Sequence, residues 1–431
     1  MSEETLSKYT LSAAQEPEPI DTRYAGSMKI SVVSAIGQIP VENATVTISY
    51  TGDPEQPLEV LTTDSSGQTP TVELPAPPLA LSLNPEAIEQ PYSEYNITVT
   101  AEGYEPVLVS GSEVFADELS LQPIRMNPIA TTEEEEKIVI IPAHTLFGEY
   151  PPKIPEDEIK PMAETGEIVL SRVVIPEYII VHDGVPEDPT APNYWVRYKD
   201  YIKNVASCEI YTTWPESSLY ANILVIQSFT LNRVYTEWYR NQGYDFTITS
   251  STAYDQKWVY GRNIYENIDY LVDTIFANFL SRPGVRQPIF TSYCDGKRVT
   301  CDGLSQWGSK YLGDQGYSAI DIIHYYYGND MYINSADFIS GVPSSWPGYD
   351  LGIGASGEKV RQLQNQLNRI ARNYPAIPTV TADGIYGPAT AEAVRTFQEI
   401  FDLPQTGVTD YPTWYAISDI YVGVTRIAEP G

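Results

Sequence analysis

Leu351–Leu367 reads LGIGASGEKVRQLQNQL and Asp383–Gln398 reads DGIYGPATAEAVRTFQ. Val360, Leu363, Gln364 and Leu367 fall on one face of a helix spanning Lys359–Arg369. Ala393, Val394, Phe397 and Ile400 do the same on a helix over Pro388–Phe401. Between them, Asp383-Gly384-Ile385-Tyr386-Gly387 is a turn whose glycines permit positive backbone angles. Residues 349–422 are therefore expected to form a compact helical module of the size of a binding domain.

Upstream the texture is different. KISVV, ATVTISY, LEVLTTD, YNITVTAEGY and ELSLQPI are short β-branched runs separated by Gly, Pro, Asp and Ser. This predicts a β-sandwich over residues 28–128, preceded by a polar, acidic tail over 1–27. TTEEEEK and YPPKIPEDEIKP follow. Adjacent glutamates repel and prolines break helices, so 129–159 reads as an exposed linker. Residues 160–340 mix the two signals. IVLSRVVIPEYIIVHDG reads as strands, and Leu219–Arg240 as a helix with Leu219, Ile223, Ile226, Thr230, Val234 and Trp238 on one side. Further helices are expected over Tyr265–Ser281 and at Asp321–Tyr327, the latter stopped by Gly328. The fold class expected is multidomain α+β.

The chain has 431 residues, room for about three domains. Hydrophobic residues make up 42%, enough for real cores. No run approaches the roughly 18–20 apolar residues of a membrane span. The net charge is −31, which repels phosphate backbones and excludes a general nucleic-acid binder. Residues 1–127 hold 19 acidic and 4 basic residues, a net of −15 and about half of the excess. The N-terminus is acidic and shows no classical secretory signal. Three cysteines exclude a disulfide scaffold. Cys294 and Cys301 lie close enough to pair across a short loop, but free or buried thiols are the favoured expectation. His144, His182 and His324 are scattered and form no compact zinc cluster.

The C-terminal strings resemble the peptidoglycan-binding domain type 1. That family shows Gly-x-x-Val-x-x-Leu-Gln, Asp-Gly-x-x-Gly-x-x-Thr, Ala-Val-x-x-Phe-Gln and a closing Thr-Trp. They fall here on Gly357, Val360, Leu363 and Gln364; Asp383, Gly384, Gly387 and Thr390; Ala393, Val394, Phe397 and Gln398; Gly407, Thr413 and Trp414. The resemblance implies a three-helix fold that holds glycan or stem peptide. Most motif residues are expected to be structural, with Asp383, Tyr386 and Trp414 as candidate wall contacts.

YIKNVASCEIYTTWPESSLYANILVIQSFTLNR resembles the opening of the SpoIID/LytB family, with Glu209 on the family's glutamate and Trp214 at matching spacing. AYDQKWVYGRN, carrying Asp255 and Gln256, and DGLSQWGSKYLGDQGYSAIDIIHYYYG, carrying Ser305 and Gln306, resemble later segments. Gln227 stands where the family has Arg, and Thr300 where many members have His. The Cys/His pair that supports zinc in some members is absent from TITSSTAYDQ, so no cofactor or metal is expected. With a transthyretin-like sandwich carrying VENATVTI and TAEGYEPV, the whole order resembles the SleC-type spore cortex-lytic enzymes.

That resemblance implies a zymogen stored in the spore, activated by a subtilisin-like protease within about Ile129–Pro152, and then degrading cortex peptidoglycan. It implies a lytic transglycosylase with Glu209 as general acid and base. One carboxyl group can do both jobs if burial keeps it protonated near neutral pH. Ser305, Gln306, Tyr293, Asp255, Gln256 and Trp214 are the expected substrate contacts. A muramidase or amidase, or a non-catalytic wall-binding amidase enhancer, are the alternatives.

Overall fold

The computed structural model describes residues 24–129, 136–160, 172–336, 338–341 and 346–425. Met1–Arg23 of the acidic tail, Thr131–Glu135 of the glutamate run and Ile168–Ser171 of the expected strand run lie outside the described residues, while Ala25–Ser27, expected in the tail, begin the first strand.

Two sheets share one core at the N-terminal end. Strand β1 (Ala25–Ser34) alternates buried and half-buried side chains, the period-2 pattern of a strand with one covered face. Strands β2 (Thr45–Tyr50) and β3 (Asp53–Thr62) form a hairpin, followed by β4 (Val72–Pro75), the short helix α1 (Leu79–Leu83), β5 (Ser93–Thr100), β6 (Val107–Val114) and β7 (Leu119–Met126). β1 pairs antiparallel with β4 and parallel with β7. The second sheet runs β3-β2-β5-β6 and ends on β8 (Lys137–Ile140). Met28, Ile30, Val46, Ile48, Ile97, Val99 and Ile124 fill the space between the sheets. The sequence pattern finds five of these strands. It passes over β4 and β6, which are short or broken by Ser and Gly, and β8, which falls in the stretch read as linker.

The stretch expected to be an exposed linker is ordered along most of its described length. Lys137–Ile140 adds an edge strand parallel to β6, with Ile138 and Ile140 exposed. From Ala143 to Lys160 the chain then runs across the central body. Thr145 Oγ1 donates to Cys208 O (2.8 Å) and Ile154 N to Ala253 O (2.7 Å). Glu156 pairs with Arg233, and Glu158 with Arg282. Glu156 and Glu158, in the proline-rich part of this stretch, thus find arginines contributed by distant elements.

The central body is built around helix α3 (Glu216–Tyr235), flanked by α2 (Tyr198–Glu209), α4 (Glu266–Ile275), α5 (Gln306–Asp314) and α6 (Ala319–Tyr327). α3 is buried on every side, not on one face as its spacing predicts. Its buried residues include polar ones such as Asn222, Gln227, Asn232 and Arg233, which bond to neighbouring elements, so the helix sits inside the domain with neighbours all round. The helix expected over Tyr265–Ser281 ends at Ile275, and Asn278–Ser281 turns into a strand. The two-residue strand Ile264–Tyr265 pairs with β7, so the central body supplies the fourth strand of the N-terminal sheet.

α7 (Glu358–Ile370), α8 (Pro388–Ile400) and α9 (Tyr411–Thr425) form the C-terminal module. It packs on α4 through Phe276 against Tyr415 (ring centroids 5.2 Å) and Tyr411 (5.7 Å). Inside it, two buried glutamines satisfy two glycine turns. Gln364 Oε1 accepts from Gly384 N, and Gln398 Oε1 from Gly407 N, each at 2.8 Å. Both glycines have positive φ, 78° and 67°, which only glycine adopts without strain.

Candidate active site

Glu209 is the last residue of α2, which ends where Ile210 turns extended. The side chain is 4% exposed. Its Oε1 accepts from Lys257 N (2.8 Å), and its Oε2 lies 3.4 Å from Gln306 Nε2. Tyr293 hydrogen-bonds to the same carboxyl group and accepts from Gln256 Nε2 at 3.1 Å. Glu209, Gln306, Tyr293 and Gln256 thus form one continuous buried network, drawn from four separate parts of the chain. Burial, with the Glu209 charge beside it, holds the Tyr293 phenol well above its ordinary value. It serves as a neutral donor.

Lys153 enters this network from the connector. Its Nζ lies 4.4 Å from the centroid of the Tyr293 ring and donates to Asp255 O. Burial lowers its pKa, while Glu209 and then Asp255 pull it back up. The connector is held down on both sides of this lysine. Arg298 donates to the carbonyls of Thr145, Phe147 and Gly148, and the Lys257 ammonium sits 5.3 Å from the Tyr150 ring.

The other expected contacts have different roles. Asp255 is fully buried and fully satisfied. Its oxygens accept from Arg233 Nε (2.7 Å), Tyr239 OH (2.6 Å), Thr249 N (2.9 Å) and Thr249 Oγ1 (2.7 Å). It anchors the Arg233–Glu156 clamp on the connector. Gln256 is also enclosed, with Thr230 Oγ1 donating to it at 2.8 Å. Ser305 caps α5, accepting from Gly308 N at 2.9 Å. Trp214 is buried and donates to Ser82 O of the N-terminal domain (3.0 Å), with Trp307 tilted against it at 4.9 Å. A cavity of about 220 Å³ lies beside Trp307 and Tyr211, bordered by residues 84–91 of the N-terminal domain and by Arg298.

In the C-terminal module Tyr386 and Trp414 are core residues. Tyr386 OH donates to Gly407 O (3.0 Å), and Trp414 is 0% exposed. Asp383 is spent on its own turn, accepting from Ile385 N (2.8 Å) and Gln364 Nε2 (3.1 Å). Ile385, on the same turn, is exposed, as is Asp383 itself.

Cys294 and Cys301 are joined in a disulfide, with Cα atoms 6.1 Å apart. This overturns the favoured expectation of free thiols. The loop they close brings Asp295 to Arg298, and so orients Arg298 toward the connector. Cys208 is a buried free thiol whose pKa burial pushes up to about 12. Among the described residues no group of three or more His, Cys, Asp or Glu is placed to hold a metal. His182 bonds to Asn193, His324 to Met331 O, and His144 packs between Tyr92 and Tyr211.

The motifs singled out Glu209, Tyr293 and Gln306, and the structure brings them together. Lys153 and Arg233 were missed. Lys153 sits in a proline-rich string whose composition says only "extended and exposed". Nothing local shows that it folds back on α2.

Residues 356–417 match a family described as "Putative peptidoglycan binding domain". No curated protein matches the chain. Among solved structures, the SleB N-terminal domain is 34% identical, covering 17% of this chain and 93% of its own, with a TM-score of 0.15. The Bacillus anthracis TIE protein is 15% identical, covering 25% of this chain and 17% of its own (TM-score 0.18). The minor pilin GBS52 of Streptococcus agalactiae is 13% identical, covering 28% and 49% (TM-score 0.17). The family match falls on α7, α8 and the start of α9. It supports peptidoglycan as the polymer this part of the chain meets. Among the described residues no helix is long and apolar enough to cross a membrane.

Proposed function

We propose that this protein is a spore cortex peptidoglycan-degrading enzyme, a lytic transglycosylase made as a zymogen. The observation that carries the reading is Glu209, a carboxyl group set among Lys257 N–H, the Gln306 amide and the Tyr293 hydroxyl, in a body joined to a peptidoglycan-binding type of module. In the proposed reaction protonated Glu209 gives its proton to the glycosidic oxygen between N-acetylmuramic acid and N-acetylglucosamine. The C1–O bond breaks as the leaving sugar takes up that proton. The Glu209 carboxylate then removes the proton of the muramic C6 hydroxyl, whose oxygen closes on C1. One carboxyl group is regenerated, a 1,6-anhydro ring forms, and no water is consumed. Gln306 and Tyr293 position the carboxyl group.

The connector supports the zymogen part. Lys153 and its flanking residues lie over the Glu209 network, and the N-terminal domain covers Trp214. Cleavage within about Ile129–Pro152 by a subtilisin-like protease would free one end of that cover. Part of this range lies outside the described residues. Packaging in the spore is part of the same proposal.

The near-complete enclosure of Glu209 also favours a second reading, a non-catalytic wall-binding body. Mass spectrometry of muropeptides released from spore cortex by the protease-trimmed chain separates the readings. Anhydromuramic ends that disappear in Glu209→Gln support the transglycosylase. Free reducing ends or released stem peptides indicate a muramidase or an amidase. No product from the trimmed chain leaves the binding reading.

A further inference from the structure

A second crevice lies apart from Glu209. A cavity of about 650 Å³ opens where the N-terminal sandwich, the central body and the C-terminal module meet. Its walls come from β1 and β7, from the segment Tyr178–Asn204, and from α9. It has the size of a pocket for a small organic ligand.

The central wall is aromatic. Trp195 is 64% exposed, with the Tyr178 ring edge-on to it at 6.3 Å. Tyr194 continues the surface, against Trp258 at 5.4 Å and Tyr260 at 4.9 Å. The opposite wall belongs to the module that matches the peptidoglycan-binding family: Tyr415 and Ala416 line the cavity from within the matched residues. Arg197 Nη1 donates to Asp419 O (3.3 Å), and Lys199 pairs with Asp419 (2.5 Å), tying the two walls together.

An exposed indole beside a tyrosine edge offers flat apolar faces to the C–H faces of a sugar ring, as amphipathic aromatics do at wet interfaces. Lys199 and Lys203 are already matched by Asp269, Asp273 and Asp419. Over the whole lining six basic residues face six acidic ones, so no net charge favours a strongly charged ligand over a polar uncharged one. We infer that this crevice is a saccharide-binding site, holding a length of glycan strand between the body and the module, with Trp195 as its stacking platform. The inference rests on the peptidoglycan reading above, which it extends to a second site on the same polymer.

The test uses the full chain and its Trp195→Ala variant, a change at an exposed position. Each is titrated with peptide-free glycan strands and, separately, with free stem peptides, by calorimetry and tryptophan fluorescence. Pelleting with whole peptidoglycan sacculi is measured in parallel. We expect glycan strands to bind the parent chain, with affinity falling about tenfold or more in Trp195→Ala and stem peptides showing no Trp195-dependent binding. Undiminished glycan affinity in the variant, absence of glycan binding by the parent, or Trp195-dependent binding of stem peptides alone overturns the inference. Sacculus pelleting reports separately on the underlying reading: if the parent chain does not pellet, peptidoglycan binding itself falls.

Discussion

The Lys153 ammonium lies 4.4 Å from the centroid of the Tyr293 ring, in a site where Tyr293 also bonds to Glu209. Lys153 is buried and feels the Glu209 charge, so in the uncut chain its side chain occupies space next to the candidate acid's partner Tyr293. Shortening that side chain removes this cover. Lys153→Ala in the uncut chain is expected to release muropeptides at least tenfold faster than the uncut parent. Equal, negligible rates in both would show that the lysine is not the block.

Glu118 lies where the N-terminal domain meets the central body, accepting from Thr212 Oγ1 at 3.1 Å. Burial raises its pKa from the ordinary 4.5 to about 7. The folded state therefore holds this proton more tightly than the unfolded chain. Its contribution is fully present below pH 4.5 and is lost as pH rises through about 7. Glu118→Gln should raise the thermal midpoint at pH 8 and change it little at pH 4.5. A variant that tracks the parent at both pH values would exclude the linkage.

Glu113 and Arg262 form a bidentate pair between the N-terminal domain and the central body, with Tyr265 OH donating to the same carboxylate at 3.0 Å. Removing one buried partner strands the other, at a cost of about 3–5 kcal/mol. Glu113→Ala is expected to destabilise the chain by that amount in urea unfolding. The double variant Glu113→Ala/Arg262→Met should recover a substantial part of the loss. Strictly additive losses would count against the pair.

Gly384 and Gly407 sit at equivalent turns of the C-terminal module, each bonded to a buried glutamine. A Cβ at Gly384 would meet Gly357 O at 3.1 Å, and one at Gly407 would meet Ala391 O at 3.0 Å. With positive φ added, alanine at either position should cost about 1–3 kcal/mol. Sacculus binding should weaken in step with the loss of the module's melting transition. Alanine variants with unchanged melting would contradict the strained-turn account.

The legible parts were those in which local pattern and tertiary environment agree. β1 alternates because one face is covered, and α7 and α8 carry their apolar stripe because each buries one side. α3 misled because it is enclosed all round, so its stripe has no dry and wet side to distinguish. The connector misled in the opposite direction. Glu156 and Glu158 look solvated until Arg233 and Arg282, far along the chain, are brought against them.

From the order of residues alone came the strands of the N-terminal part and the helices of the C-terminal module, because periodicity is a property of neighbouring positions; the choice of Glu209 came from the likeness of its surrounding string to a family's motif. Only the folded chain decided that Asp255 is an internal anchor, that Tyr386 and Trp414 are core, that Cys294 is bonded to Cys301, and that Lys153 lies over the site. Each of these depends on which distant groups meet. Burial, hydrogen-bond satisfaction and charge pairing act across space, where spacing along the chain carries no information.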